Sequence, residues 1–187
     1  MTPSPFAVIE TPRLLIRRFE ERDLPTLHAY RNDHEVARYA GWHESDYEGL
    51  IQFILTMNRT TPNTIGDWFQ WAVEVKATQT HIGDIGIHRQ AEEPKEAEIA
   101  YTFARSAQGQ GYATEAVHGV LGYLFTTLYL HRITALIYAD NARSVALVER
   151  LGFRKEGHFR KAARRDGEWV DDVMYAMLEE EWNTNED

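Results

Sequence analysis

The chain has 187 residues, 43% of them hydrophobic and 12% aromatic, which suits one folded domain with a sizeable core and excludes a disordered chain. It contains no cysteine, which excludes disulfides, zinc–thiolate sites and thiol catalysis and suits a reducing cytoplasm. A formal net charge of −9 argues against nucleic-acid binding and is compatible with a cationic partner, although solubility explains it equally well.

Met1 to Ala7 is proline-rich without an apolar signal core, and no run approaches a membrane span, so a cytoplasmic protein without membrane attachment is expected. Residues 1–10 read as a loose lead-in. Arg13 to Phe19 reads as a first strand. Asp23-Leu24-Pro25 opens a helix to about Arg31, with Asp as N-cap and Pro in the first turn. Residues 33–45 look irregular. Ser45 and Glu48 fit a capping box for a second helix through Met57. Trp68–Val75 and His81–His88 read as a hairpin, and a further strand runs around Glu98 to Phe103. A long helix follows, with apolar residues at Ala113, Ala116, Val117, Val120, Leu121, Leu124, Phe125 and Leu128 in helical spacing. Ile133 to Ala139 is a strand. Asp140-Asn141 begins a shorter helix closed by Gly152, with Phe153 placed against Val148. Phe153–Arg164 and Glu168–Met177 form a closing hairpin around Asp166-Gly167, and 179–187 is an acidic, frayed tail. The order is β-α-α-β-β-β-α-β-α-β-β. It implies a single α/β domain over 1–187, core about 9–182, with a mixed sheet that is parallel where the long helix crosses over.

Between the Glu98 strand and the long helix lies Gln108-Gly109-Gln110-Gly111-Tyr112-Ala113-Thr114. Two glycines let the backbone approach a ligand closely, and the helix that follows offers unpaired N–H groups and a partial positive charge. Together these suit a phosphate or pyrophosphate, while an ordinary strand-to-helix turn uses the same residues. No Lys follows Gly111, so a P-loop is excluded. Thr114 stands where the dinucleotide fingerprint needs its third small residue, and Leu130 to Arg132 supplies no acid for a ribose.

Gln108-x-x-Gly111-x-Ala113 resembles the signature of the GCN5-related N-acetyltransferase (GNAT) superfamily. Three stretches extend the likeness toward its RimJ/RimL-like ribosomal-protein N-terminal acetyltransferase branch. They are Glu10-Thr11-Pro12-Arg13-Leu14-Leu15-Ile16-Arg17, Asp140-Asn141-x-x-Ser144 with Leu151-Gly152-Phe153, and Asp166-Gly167-Glu168-Trp169 with the strand after it. The resemblance implies an acyl-CoA N-acyltransferase fold: about seven strands, splayed at the fourth and fifth, flanked by about four helices. It implies direct transfer of the acetyl group from acetyl-CoA to a primary amine through a ternary complex, by a monomer or homodimer. The amine is a protein N-terminus or a small amine. The pyrophosphate would lie on Gln108, Gly109, Gln110, Gly111, Ala113 and Thr114, and the pantetheine arm on Tyr101, Thr102, Phe103 and Asn141. A non-catalytic acyl-CoA sensor would use the same loop.

Acetyl transfer from a thioester needs a neutral amine, a donor for the developing oxyanion and a proton for the leaving sulfur. Glu98 is the candidate base, acting through water. Strand alternation puts it on one face with Ala100 and Thr102, and a solvated carboxylate would fit that place as well. Ser144 is the candidate acid, because positions 145–151 lack the tyrosine found in many relatives, and a backbone-bonding serine fits there too. Asn141 equally suits a helix N-cap. Tyr39, Trp42 and His43 would line the acceptor side or plug the space between helices. Asp84, Glu74 and the acids of the last hairpin would draw in a cationic amine or face solvent. His34-Glu35 lacks a second His one turn on, and His81 and His88, seven apart on one strand, should face opposite ways, so no metal site is expected.

Overall fold

A computed structural model of the chain describes residues 8–40, 42 and 45–184. Its elements are β1 (Ile9–Glu10), β2 (Leu14–Arg17), α1 (Leu24–Arg31), α2 (His34–Ala37), α3 (Tyr47–Arg59), β3 (Trp68–Val75), β4 (Thr80–Arg89), β5 (Glu96–Phe103), α4 (Tyr112–Thr126), β6 (Arg132–Tyr138), α5 (Ala142–Arg150), β7 (Arg154–Arg165), β8 (Glu168–Leu178) and α6 (Glu179–Thr184). The strands form one eight-stranded sheet in the order β1-β2-β3-β4-β5-β6-β8-β7. Every neighbouring pair is antiparallel except β5 and β6, where α4 makes the crossover.

That parallel pair is short. Glu96, Ala97 and Glu98 pair with Arg132, Ile133 and Thr134, and pairing stops there although both strands continue. The splay inferred between the fourth and fifth strands is therefore present, between β5 and β6. Helices cover both faces. On one, α4 buries Ala116, Val117, Val120, Leu121, Leu124 and Phe125 against Trp71, Ile85, Ile99 and Ile133. Each of the Val, Leu and Phe side chains contributes on the order of 1.5–3 kcal/mol when fully buried. On the other, α1 and α3 close a second cluster with Phe19, Leu27, Tyr30, Leu50, Ile54 and Met57. The short helix α5 ends as its glycine predicts. Gly152 adopts φ +91°, its N–H bonds Glu149 O at 3.1 Å, and Phe153 N–H bonds Val148 O at 3.0 Å.

Several details differ from the sequence reading. Ile9–Glu10 forms an edge strand on β2 rather than a lead-in. Residues 34–37 are helical, capped by Asp33. The α3 cap is Asp46, which accepts from Gly49 N–H at 2.8 Å. Adjacent oxygen-bearing residues made Ser45 look equally suitable. Asp23 does not cap α1 with its side chain. It is buried and takes two bonds from Arg17, at 2.7 and 2.8 Å, because that guanidinium needs a partner more than the helix end does. The acidic tail forms α6, and Trp182 is buried in the main core beside His118 and Phe125. A bulge at Ile82, where Val73 pairs with Gly83 but Glu74 with His81, shifts the strand parity. His81 and His88 consequently share the α1–α3 face, with His81 against Phe19 and Tyr30.

Candidate active site

The two residues that open the turn into α4 are in the left-handed region, Gly109 at φ +75° and Gly111 at φ +79°. A side chain at either position is strained, which is why glycine stands at both. Gly111 is the N-cap of α4 and no side chain caps the helix. The first-turn N–H groups, from Tyr112 to Thr114, therefore point outward for an external acceptor. Gln108 braces this turn from behind. Its amide donates to Phe103 O at 3.1 Å and its Oε1 accepts from Arg143 at 2.6 Å. Arg13 donates to Gln110 O at 3.0 Å, and Arg150 to Thr114 Oγ1 at 3.2 Å. Arg13 is also ion-paired with Glu115 in the first turn of α4, at 2.5 Å, so Arg143 and Arg150 supply the positive field that favours phosphate there.

Beyond Glu98 the gap-side edge of β5 is unpaired by β6. Ladder alternation decides which groups face that gap. Ala104 N–H bonds Ile82 O and Glu96 O accepts from Gln90, so even-numbered residues turn to β4. The N–H groups of Tyr101 and Phe103 accordingly turn to the gap, while Ile99 N–H is used in the last pair with β6 and Thr102, paired with Asp84, turns to β4. Phe103 O is taken by Gln108. A free extended edge, a turn with two positive φ values and an exposed helix N-terminus run end to end. They fit an elongated ligand with amides at one end and a diphosphate at the other.

Glu98 lies on the opposite face from α4, half-buried, with His88 and Thr134 as cross-strand neighbours. Burial pushes its carboxyl above the ordinary value, and the His88 ring pulls the other way. A raised carboxylate is a stronger base and suits proton removal near neutrality. Ser144 sits where α5 begins. Its Oγ donates to the Tyr101 hydroxyl at 2.9 Å, and that hydroxyl donates to Ser144 O at 3.3 Å. Burial pushes the phenol up to about 12, against the Ser144 bond. The sequence supplied no tyrosine within α5, yet a phenol reaches the same helix mouth from β5. The odd-numbered face of β5 was the available sign, since it points toward the α5 side. Asn141 caps α5, its Oδ1 accepting from Ser144 N–H at 3.2 Å, which leaves its amide donor for another partner.

The acceptor-side residues are placed less uniformly. Tyr39 lies under the guanidinium groups of Arg38 and Arg165, which is itself 5.1 Å from the Tyr138 ring. Trp42 donates to Arg31 O at 3.3 Å and faces the Arg31 guanidinium at 4.6 Å. Both rings thus already carry an internal cation. His43 lies outside the described residues. Glu74 is buried against Arg17 and Arg22, and Asp84 is buried with Tyr30 and 3.9 Å from Arg31, so neither is free to attract an amine. No group of three or more His, Asp or Glu side chains arranged for a metal ion occurs among the described residues, and no described helix is long and apolar enough to cross a membrane.

Residues 13–154 match the acetyltransferase (GNAT) domain family. An uncharacterised N-acetyltransferase of Bacillus subtilis, YoaA, is 32% identical over 92% of this chain and 97% of its own length. The ribosomal protein uS5-alanine N-acetyltransferase of Escherichia coli is 36% identical over 45% of this chain and 43% of its own. A spermidine N(1)-acetyltransferase of Vibrio cholerae is 27% identical over 93% and 98%. Among solved structures, a GNAT-family acetyltransferase from Bacillus anthracis superimposes with a TM-score of 0.83 at 31% identity, covering 94% of this chain and all of that one.

Proposed function

Given that this chain belongs to the GNAT acetyltransferase family and is an acetyl-CoA-dependent acyltransferase, we propose that it acetylates a primary amine directly, in a ternary complex, with Glu98 as base and the Tyr101–Ser144 pair as donor to the leaving sulfur. The observation that carries this reading is the gap beside β5. It meets the phosphate-type turn at Gly109–Gly111 at one end and has Glu98 on the far face at the other.

Acetyl-CoA supplies an activated acyl group, so the protein's work is positioning and proton management. The turn and the first-turn N–H groups of α4 hold the diphosphate, with Arg143 and Arg150 lending positive field. The gap-facing backbone of β5 and the Asn141 amide hold the pantetheine amides, and the Tyr101 or Phe103 N–H polarises the thioester carbonyl. An α-amino group ionises near ~8 and a lysine near ~10.4, so either must lose a proton before attack. Glu98 accepts that proton through water. A thiol ionises near ~8.5, well below the Tyr101 phenol, so complete proton transfer to sulfur is uphill. The pair instead stabilises the thiolate by hydrogen bonding until solvent protonates it. RimJ-like and polyamine-acetylating relatives support both peptide N-termini and small amines as acceptors.

The test is CoA release from acetyl-CoA with peptides, polyamines and aminoglycosides, with mass spectrometry locating the acetyl group. Acetylation of one amine class at a defined nitrogen is expected. Tight acetyl-CoA binding with no amine acetylated, unchanged by Glu98→Gln, would overturn the reading.

A further inference from the structure

Helices α1 to α3 cover the β2–β5 half of their face of the sheet, and the β6–β8–β7 half is more open. Leu136 is 47% and Phe159 42% exposed there. One charged side chain in this open region has no counterpart. Asp172 on β8 is 7% exposed, and its carboxylate makes no hydrogen bond or ion pair to any described residue. Its neighbours across the strands are Tyr138 on β6 and Phe159 on β7. Val173 and Tyr175 lie in the core on the other face, so alternation turns Asp172 to the same face as Glu98. The adjacent Asp171, by contrast, is occupied by His158 at 2.7 Å and by the Lys161 N–H at 2.8 Å. The nearby Arg165 is bonded to Asp140.

The Asp172 carboxylate keeps only limited contact with water and accepts from no described side chain, which disfavours its charged form. Burial raises the Asp172 carboxyl, with Asp171 adding to the effect. A cation repairs both, and the exposed Phe159 ring suits an ammonium or guanidinium group, whereas the Tyr138 ring already faces the Arg165 guanidinium at 5.1 Å. We propose that Asp172, with Phe159 beside it, is a subsite for a second, cationic group of the acceptor. Glu98 and Asp172 are separated by two strand spacings across and four residues along the sheet, on the order of 15 Å. The acceptor is therefore a molecule with a cation roughly that far from its reacting amine. This rests on Glu98 marking the reacting end. An Arg or Lys four or five residues from a peptide N-terminus and the far amine of a long polyamine share that chemistry.

The test uses the full chain and a six-residue peptide carrying arginine or neutral citrulline at position five, with spermine against n-butylamine as the small-molecule arm. Wild type should prefer the charged member of a pair at least about tenfold in kcat/KM, mostly through KM, and Asp172→Asn should bring that ratio to about one. Asp172→Glu should restore part of the preference, and Phe159→Ala, at an exposed position, should weaken it. The arm showing the preference identifies the source of the cation. Calorimetric titration of the CoA-saturated protein with the same compounds reads the subsite without turnover. An Asp172-dependent binding preference with no acetylation would sink the acetyltransferase reading and leave the subsite standing. Equal binding of charged and neutral members, or a preference surviving in Asp172→Asn, overturns the proposal.

Discussion

Glu98 differs from a surface acid in one respect that matters for rate: burial holds its carboxyl above the ordinary value. The charged form is the active one, so activity is lost as pH falls through the raised pKa. The acid limb of kcat/KM should lie above the ~4.3 of a free glutamate. Glu98→Gln should lower kcat on the order of 10²-fold and remove that limb, while the limb set by the amine's own ionisation stays. An unchanged profile would mean that another group takes the proton. The Tyr101–Ser144 pair makes a separate claim. Tyr101→Phe should reduce kcat about tenfold or more with KM little changed, and adding Ser144→Ala should cost less than additively, because the two hydroxyls act through one bond of 2.9 Å. Strand alternation was enough to put Glu98 on the face opposite Ile99, Tyr101 and Phe103. The phenol was not legible, because its partner is 43 positions away and local periodicity carries no information about that contact.

The turn into α4 was legible because glycine is costly unless the backbone needs it, and both glycines have positive φ. Gly111→Val should weaken acetyl-CoA binding at least about tenfold, measured by calorimetry, since an added Cβ is strained at φ +79° and reshapes the N–H cluster. Its Cβ would meet the flexible end of Arg13 at 3.2 Å, so the fold should survive. Unaltered affinity would remove the loop from the site. The C-terminal element shows the opposite case. Glu179-Glu180-Glu181 has the composition of a solvated tail, and it is one tryptophan that commits the segment to α6. Trp182→Ala should destabilise the protein by ~3–5 kcal/mol in urea unfolding. A change below about 1 kcal/mol would show that the frayed-tail reading was the better one.

At the scale of the molecule, the sheet is two antiparallel blocks, β1–β5 and β6–β8–β7, joined edge to edge by three parallel pairs. The mixed order and the splay follow from the succession of elements and the family likeness. The edge β1 and the bulge at Ile82 do not, because tertiary pairing decides them. The joint has a measurable consequence. Backbone groups of β5 beyond Glu98 alternate between a paired side and an open one, so neighbouring amides should differ in hydrogen exchange. Without ligand, Tyr101 and Phe103 amides, facing the gap, should exchange faster than Thr102, which faces β4. Saturating acetyl-CoA should slow Tyr101 and Phe103 far more than any global gain in stability, which at a hundred times Kd is about 2.7 kcal/mol. Thr102 should slow by no more than that gain. If all three amides slow alike, the ligand stabilises the fold without entering the gap. If none slows while the α4 turn does, the diphosphate is held without the arm, and the thioester does not lie beside β5.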